Sequence, residues 1–177
     1  MSDRDHAKAL ALLVGVVIVA IALWRAAGAD WPEGWERGVG HGSTWLSRLL
    51  HPLVHGGLLH ALVNVYVFWQ VVFFCQVGLR HLSCAVVVAC CCPSSVAVWP
   101  YGVETGAPQA VVGLSGVVFA LLGMVMPAVA GRWRYMALLL VWQLAGWFFG
   151  TVAVGLHLWC FGLGLMLSVT RRVIVRR

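Results

Sequence analysis

Residues 7–28 read AKALALLVGVVIVAIALWRAAG, and between Lys8 and Arg25 they carry no charge. A helical bilayer span needs about 20 mostly apolar residues, which this run supplies. It exceeds the apolar core of a signal peptide, and no convincing cleavage-like stretch accompanies it, so it is expected to persist as a helix. The remaining chain has the same character: of 177 residues, 62% are hydrophobic and 10% charged. Water-soluble chains carry charge at roughly a quarter of positions. At about 20 residues per span, the chain holds about six spans and little else. The expectation is one all-α membrane domain over residues 1–177, without a separate soluble domain.

Five more apolar runs follow, at about 58–78, 82–99, 111–131, 135–150 and 152–169. Pro93-Ser94-Ser95 lies inside the third span and predicts a kink there. A Pro/Gly-rich turn, Pro100 to Pro108, leads to the fourth. The connection from Ala29 to about Gly57 is too long for a simple link and is expected to fold on the membrane surface. Its Trp31, Trp35 and Trp45 suit an interfacial position. No internal repeat or low-complexity segment occurs.

The net charge of +6 raises nucleic acid as a partner, but its distribution argues against one. Arg4, Lys8, Arg80, Arg132, Arg134, Arg171, Arg172, Arg176 and Arg177 fall on one side of a six-span topology, and only Arg25, Arg37 and Arg48 on the other. Lys and Arg gather on the cytoplasmic side, so both termini are expected there, in the cell (inner) membrane of a bacterium. Cys75, Cys84, Cys90, Cys91, Cys92 and Cys160 all lie in apolar stretches without a CxxC pair. They read as packing residues, not as a disulfide framework or metal site.

Polar groups inside spans are costly and mark function by default. No Asp, Glu, Lys or Arg lies deep in any span; what remains is His60, Asn64, Ser115, His157, Gln70, Gln76 and Gln143. Counting from the charge that ends each span, Asn64 to Arg80 is 16 residues, Ser115 to Arg132 is 17 and His157 to Arg171 is 14. At 1.5 Å per residue these are about 24, 26 and 21 Å. Three polar groups from three helices thus reach nearly one level, several Å below the outer surface of a core about 30 Å thick. His60 sits one turn above Asn64 on the same face. Gly116, Ala120 and Gly123 form a small-residue stripe beside Ser115, and His157, Cys160, Gly164 and Ser168 share a face. Small residues let membrane helices approach closely.

A serine is a poor nucleophile unless a base lies within hydrogen-bond reach, and histidine titrates near neutrality. The tetrahedral intermediate needs donors aimed at its oxyanion. His60, the Asn64 amide and the backbone N–H groups of Gly113, Leu114 and Ser115 are candidates. No acid lies at this level, so a Ser–His dyad fits better than a triad. Each residue also has a plainer reading. Ser115 can back-bond to its own helix, Asn64 can glue helices together, and His51 and His55 read as loop-structuring. The glutamines read as interhelical hydrogen-bonders and the tryptophans as belt anchors.

Gly113-Leu114-Ser115-Gly116 with Val117 to Leu121 after it, His60-x-x-x-Asn64 upstream and His157 downstream resemble the rhomboid intramembrane serine proteases. The spacing of His51, His55, His60 and Asn64 fits, as does Gly164 seven residues after His157. The resemblance spans roughly Trp45 to Ser168. It implies a six-helix rhomboid-like bundle with a long extracytoplasmic first loop, and no cofactor or metal. Ser115 would attack the peptide bond, His157 act as general base, and His60 and Asn64 help stabilise the oxyanion. Membrane-protein substrates would arrive laterally from the lipid bilayer, gated near span five. Phe119 stands where many members have Tyr, Cys160 where a Gly commonly follows the histidine, and Trp45 and Arg48 match the first-loop Trp-Arg pair loosely. Two rivals remain: a rhomboid-like pseudoprotease that binds membrane clients, and a b-type haem or quinone protein ligated by His60 and His157. No HExxH metalloprotease motif occurs.

Overall fold

A computed structural model describes residues 2–30, 38–40, 42–75, 77–99, 111–148 and 153–175. Trp31, Trp35, Arg37, Gln76, the 100–108 turn, Arg176 and Arg177 lie outside the described residues, as do the side chains of Arg171 and Arg172. Among the described residues the regular elements are all helical, and one isolated bridge pairs Val39 with Val111.

The first helix, α1 (Asp3–Ala26), opens on a reciprocal cap between Ser2 and Asp5. Its buried positions, Ala7, Ala11, Gly15, Ile18 and Ala22, form a mostly small-residue stripe at helical spacing. That stripe packs on α3 (Leu58–Phe74). Trp69 covers Gly15, where a Cβ would meet the indole at 2.6 Å, and its Nε1 donates to the Ala11 carbonyl at 2.9 Å. The short α2 (Trp45–Leu50) lies between them in the chain. Then follow α4 (Leu79–Cys90), α5 (Ser94–Ala97), α6 (Ser115–Val125) with a 3-10 turn at Met126–Ala128, α7 (Arg132–Phe148) and α8 (Val154–Val175). By length and composition α1 suffices to cross a membrane, while α3, α4, α6 with its 3-10 turn, and the Val154–Ser168 part of α8 are shorter apolar helices.

Several expected boundaries move, each for a local reason. The run from Leu58 ends its helix at Phe74, and Arg80 sits in the first turn of α4. The anticipated kink at Pro93 is a break: α4 stops at Cys90 and α5 starts after the proline, which has no N–H to continue a helical ladder. The run from Val111 becomes helical only at Ser115. Gly113 has φ +118, a left-handed conformation that glycine alone adopts without penalty.

Polarity is arranged inside out. Leu13, Val16, Leu59, Tyr66, Trp133, Leu138, Trp142 and Phe148 are exposed, whereas His51, Asn64, Gln143 and His157 are buried. In α2 the same inversion occurs: Trp45, Leu46 and Leu49 face outward and Ser47 is buried. An apolar exterior of this extent suits lipid, which solvates leucine without cost while polar groups seek partners inside. The tightest helix pair is α6 on α8. A Cβ on Gly123 would collide with the Phe161 carbonyl, and one on Gly164 with the Ala120 carbonyl. The small-residue stripes therefore bring the two backbones into direct contact.

Candidate active site

The first loop supports the segment that precedes Ser115. Arg48 donates from Nη1 to the carbonyls of Cys90 (3.1 Å) and Cys92 (2.7 Å) and from Nη2 to Ser94 Oγ (2.6 Å), bridging the end of α4 and the start of α5. His51 Nδ1 lies 2.5 Å from the Arg48 carbonyl, and the His51 carbonyl accepts the Gly113 N–H at 2.8 Å. Next, His55 Nε2 accepts the Leu114 N–H at 3.2 Å. An accepting Nε2 requires the ring proton on Nδ1, which faces the Leu53 carbonyl at 3.4 Å. Burial holds both loop histidines well below the ordinary histidine range, at about 4, because the neutral ring is the cheaper one to desolvate. Val39 and Val111 exchange backbone bonds of 2.9 and 3.0 Å, tying the loop to the same segment.

Ser115 is therefore the first residue of α6, not a mid-span serine. The N–H groups of a helix's first turn have no intrahelical partner, so the hydroxyl stands at a helix N-terminus. The depth count changes accordingly. From Ser115, 11 helical residues and a 3-residue 3-10 turn lead to Ala128, which is about 22 Å. The His60 ring lies against Gly113, where a Cβ would stand 3.3 Å from Cε1, and meets His55 edge-on with centroids 5.1 Å apart. Asn64 is buried one turn further along α3 and donates Nδ2 to the His60 carbonyl at 2.9 Å, leaving its second amide hydrogen available.

His157 comes from α8. Its ring stacks on Phe119, with centroids 4.1 Å apart and planes 6° from parallel. Phe119 lies one turn after Ser115 on α6, so the imidazole is held over the helix that begins at Ser115. Nδ1 faces the Gln143 amide of α7, with Nε2 of Gln143 at 3.0 Å and Oε1 at 3.3 Å. His157 Nε2 is buried without a hydrogen-bond partner.

The structure sets His60 against Gly113, two residues before Ser115, and His157 over Phe119, four residues after it, with Asn64 bonded to the His60 carbonyl; His157 Nε2 makes no hydrogen bond to the Ser115 hydroxyl. The Gly113 and Leu114 N–H groups, expected as oxyanion donors, are instead engaged by His51 and His55. Sequence reasoning treated Gln143 as helix glue and missed it as the partner of His157. The available signal was an amide in an apolar run with no acid at the level of the base. Cys160 is buried one turn after His157, and all six cysteines are free thiols. Chemically, the cluster offers a hydroxyl at a helix N-terminus, an imidazole with one nitrogen held and the other bare, and amide and imidazole donors nearby.

No curated protein matches the chain significantly. The family model for the rhomboid domain matches residues 42–169, from the first loop through α8 and across every residue of this cluster. That match covers most of the sequence, and the chain belongs to the rhomboid family, whose members are integral membrane proteins.

Proposed function

We propose that the protein is an intramembrane serine endopeptidase that cuts transmembrane or membrane-proximal segments of other membrane proteins. The observation that carries this reading is the bare, buried Nε2 of His157 on a ring clamped above the helix that begins at Ser115. Nε2 takes the Ser115 proton as Oγ attacks the peptide carbonyl, and later returns it to the leaving amine. His60, the second Asn64 hydrogen and the Ser115 N–H stabilise the oxyanion, and water releases the acyl group from Ser115. Catalytic hydrogen bonds are often longer before substrate arrives and tighten in the complex.

In this reading the chain crosses the bilayer six times, with α7 among the spans, both termini in the cytoplasm and the first loop outside. Substrate arrives laterally from the bilayer. The inside-out polarity and the arginine distribution support it. A non-cleaving homologue that binds membrane clients is the competing reading, and retention of both Ser115 and His157 weighs against it. A fluorophosphonate probe decides between them: it should label the wild-type protein in liposomes and leave Ser115→Ala unlabelled. Absence of labelling on folded wild type would sink the protease reading.

A further inference from the structure

We propose that Gln143 is a positioning residue for the base: its side-chain oxygen accepts the Nδ1 proton of His157 and so keeps Nε2 as the bare nitrogen. The inference rests on the protease reading above and adds a third member to its dyad.

Both ends of the Gln143 amide lie within reach of Nδ1, at 3.0 and 3.3 Å. The two ends exchange by a half-turn of a nearly symmetrical group, so the chemistry of the ring decides which one faces it. If the amide N–H donates to Nδ1, the ring's proton sits on Nε2. That atom is buried and has no partner among the described residues, so the proton would be a stranded donor, which is costly. If Oε1 accepts from Nδ1–H, Nε2 is left as a lone pair, the form a general base requires. The second arrangement removes the stranded donor and readies the base in one step.

Position and chemistry both suit an amide in this role. The six carboxylates of the chain stand at positions 3, 5, 30, 33, 36 and 104, and the described residues around His157 include none of them. A carboxylate would also be expensive to bury at this depth, whereas a neutral amide supplies the acceptor oxygen without a charge. Phe119 fixes the plane of the ring, but stacking leaves open the half-turn about Cβ–Cγ that exchanges Nδ1 with Cδ2. Gln143 removes this freedom and selects the tautomer together. Because it rides on α7, the readiness of His157 depends on α7 staying against α8.

The experiment uses the full chain in liposomes, with wild type and Ser115→Ala labelled first to establish the serine chemistry. Gln143→Leu, close in volume but without an acceptor, should lower kcat and the labelling rate by roughly tenfold to a hundredfold, with KM little changed. Gln143→Glu, whose carboxyl stays protonated when buried and so keeps an acceptor carbonyl oxygen without a charge, should restore most of the rate. Wild-type kcat in Gln143→Leu, or equal losses in both variants, would overturn the proposal. A nitrogen-15 histidine spectrum of the wild type, assigned by the signal lost in His157→Ala, does not depend on how the variants fold. It should show the Nδ1–H tautomer, and the Nε2–H tautomer would overturn the proposal. Failure of these arms with Ser115 labelling intact removes Gln143 alone, whereas failure of labelling removes the protease reading.

Discussion

Adding one methyl group at Gly164 tests whether the close approach of α6 and α8 sets the catalytic geometry. A Cβ there would overlap the Ala120 carbonyl oxygen and stand 3.0 Å from its carbon and 3.2 Å from Cα, where ordinary contact begins at 3.4 Å. These are backbone atoms, so no side chain can rotate aside, and the helices must part by about 1 Å to restore contact. Overpacking of this kind costs about 1–3 kcal/mol, offset by the roughly 0.5–1 kcal/mol that alanine gains over glycine in a helix. Gly164→Ala should therefore lose up to about 2.5 kcal/mol of stability. Gly164 lies seven residues, about 10 Å, along α8 from His157, so a parting there also shifts the imidazole relative to Ser115. Misplacement by about 1 Å costs up to about a hundredfold in rate. Gly162→Ala is the control, because a Cβ there meets nothing within 4 Å. The rate of fluorophosphonate labelling and the thermal unfolding of both variants, measured in the same detergent, check the reasoning. If Gly164→Ala labels within twofold of wild type and unfolds no earlier than Gly162→Ala, the backbone contact does not set the site.

Other substitutions probe the remaining parts. His157→Ala should abolish cleavage, while Asn64→Ala should slow it by roughly tenfold as one of several oxyanion donors is lost; full activity in His157→Ala refutes the base assignment. Arg48→Ala removes three bonds, to the end of α4, the link after it and the start of α5, and should destabilise the protein by about 1.5–3 kcal/mol. Arg48→Lys should recover only part of this, since an ammonium lacks the fork that reaches all three acceptors; unfolding curves compare them. The loop histidines make stability acid-sensitive. With folded values of about 4 against 6.5 unfolded, their contribution is complete above pH 6.5 and is lost as pH falls from there through 4. Protonating His55 Nε2 would also take away the acceptor of the Leu114 N–H. Unfolding midpoints should fall steadily between pH 7 and 4, and a flat profile over that window refutes the assignment.

The primary sequence already determined the apolar character of α1, α3, α4, α6 and α8 and singled out Ser115, His60, Asn64 and His157 as polar groups in apolar runs. Such readings succeed because transfer into lipid is nearly additive along the chain, so each segment declares its solvent without reference to its neighbours. The small residues at Gly123 and Gly164 were legible in the same way, as stripes at helical spacing. Element ends were less so. Whether Pro93 kinks or breaks its helix, and whether Ser115 sits within a helix or begins one, depends on backbone angles such as that of Gly113. Those angles are settled by what the loop packs against. Tertiary structure alone decided which groups meet: Gln143 with His157, Arg48 with the end of α4, and His51 and His55 with the N–H groups expected to serve the oxyanion. Pairing between helices depends on their rotation and closeness, which are set by contacts far apart in sequence, and composition carries no record of them.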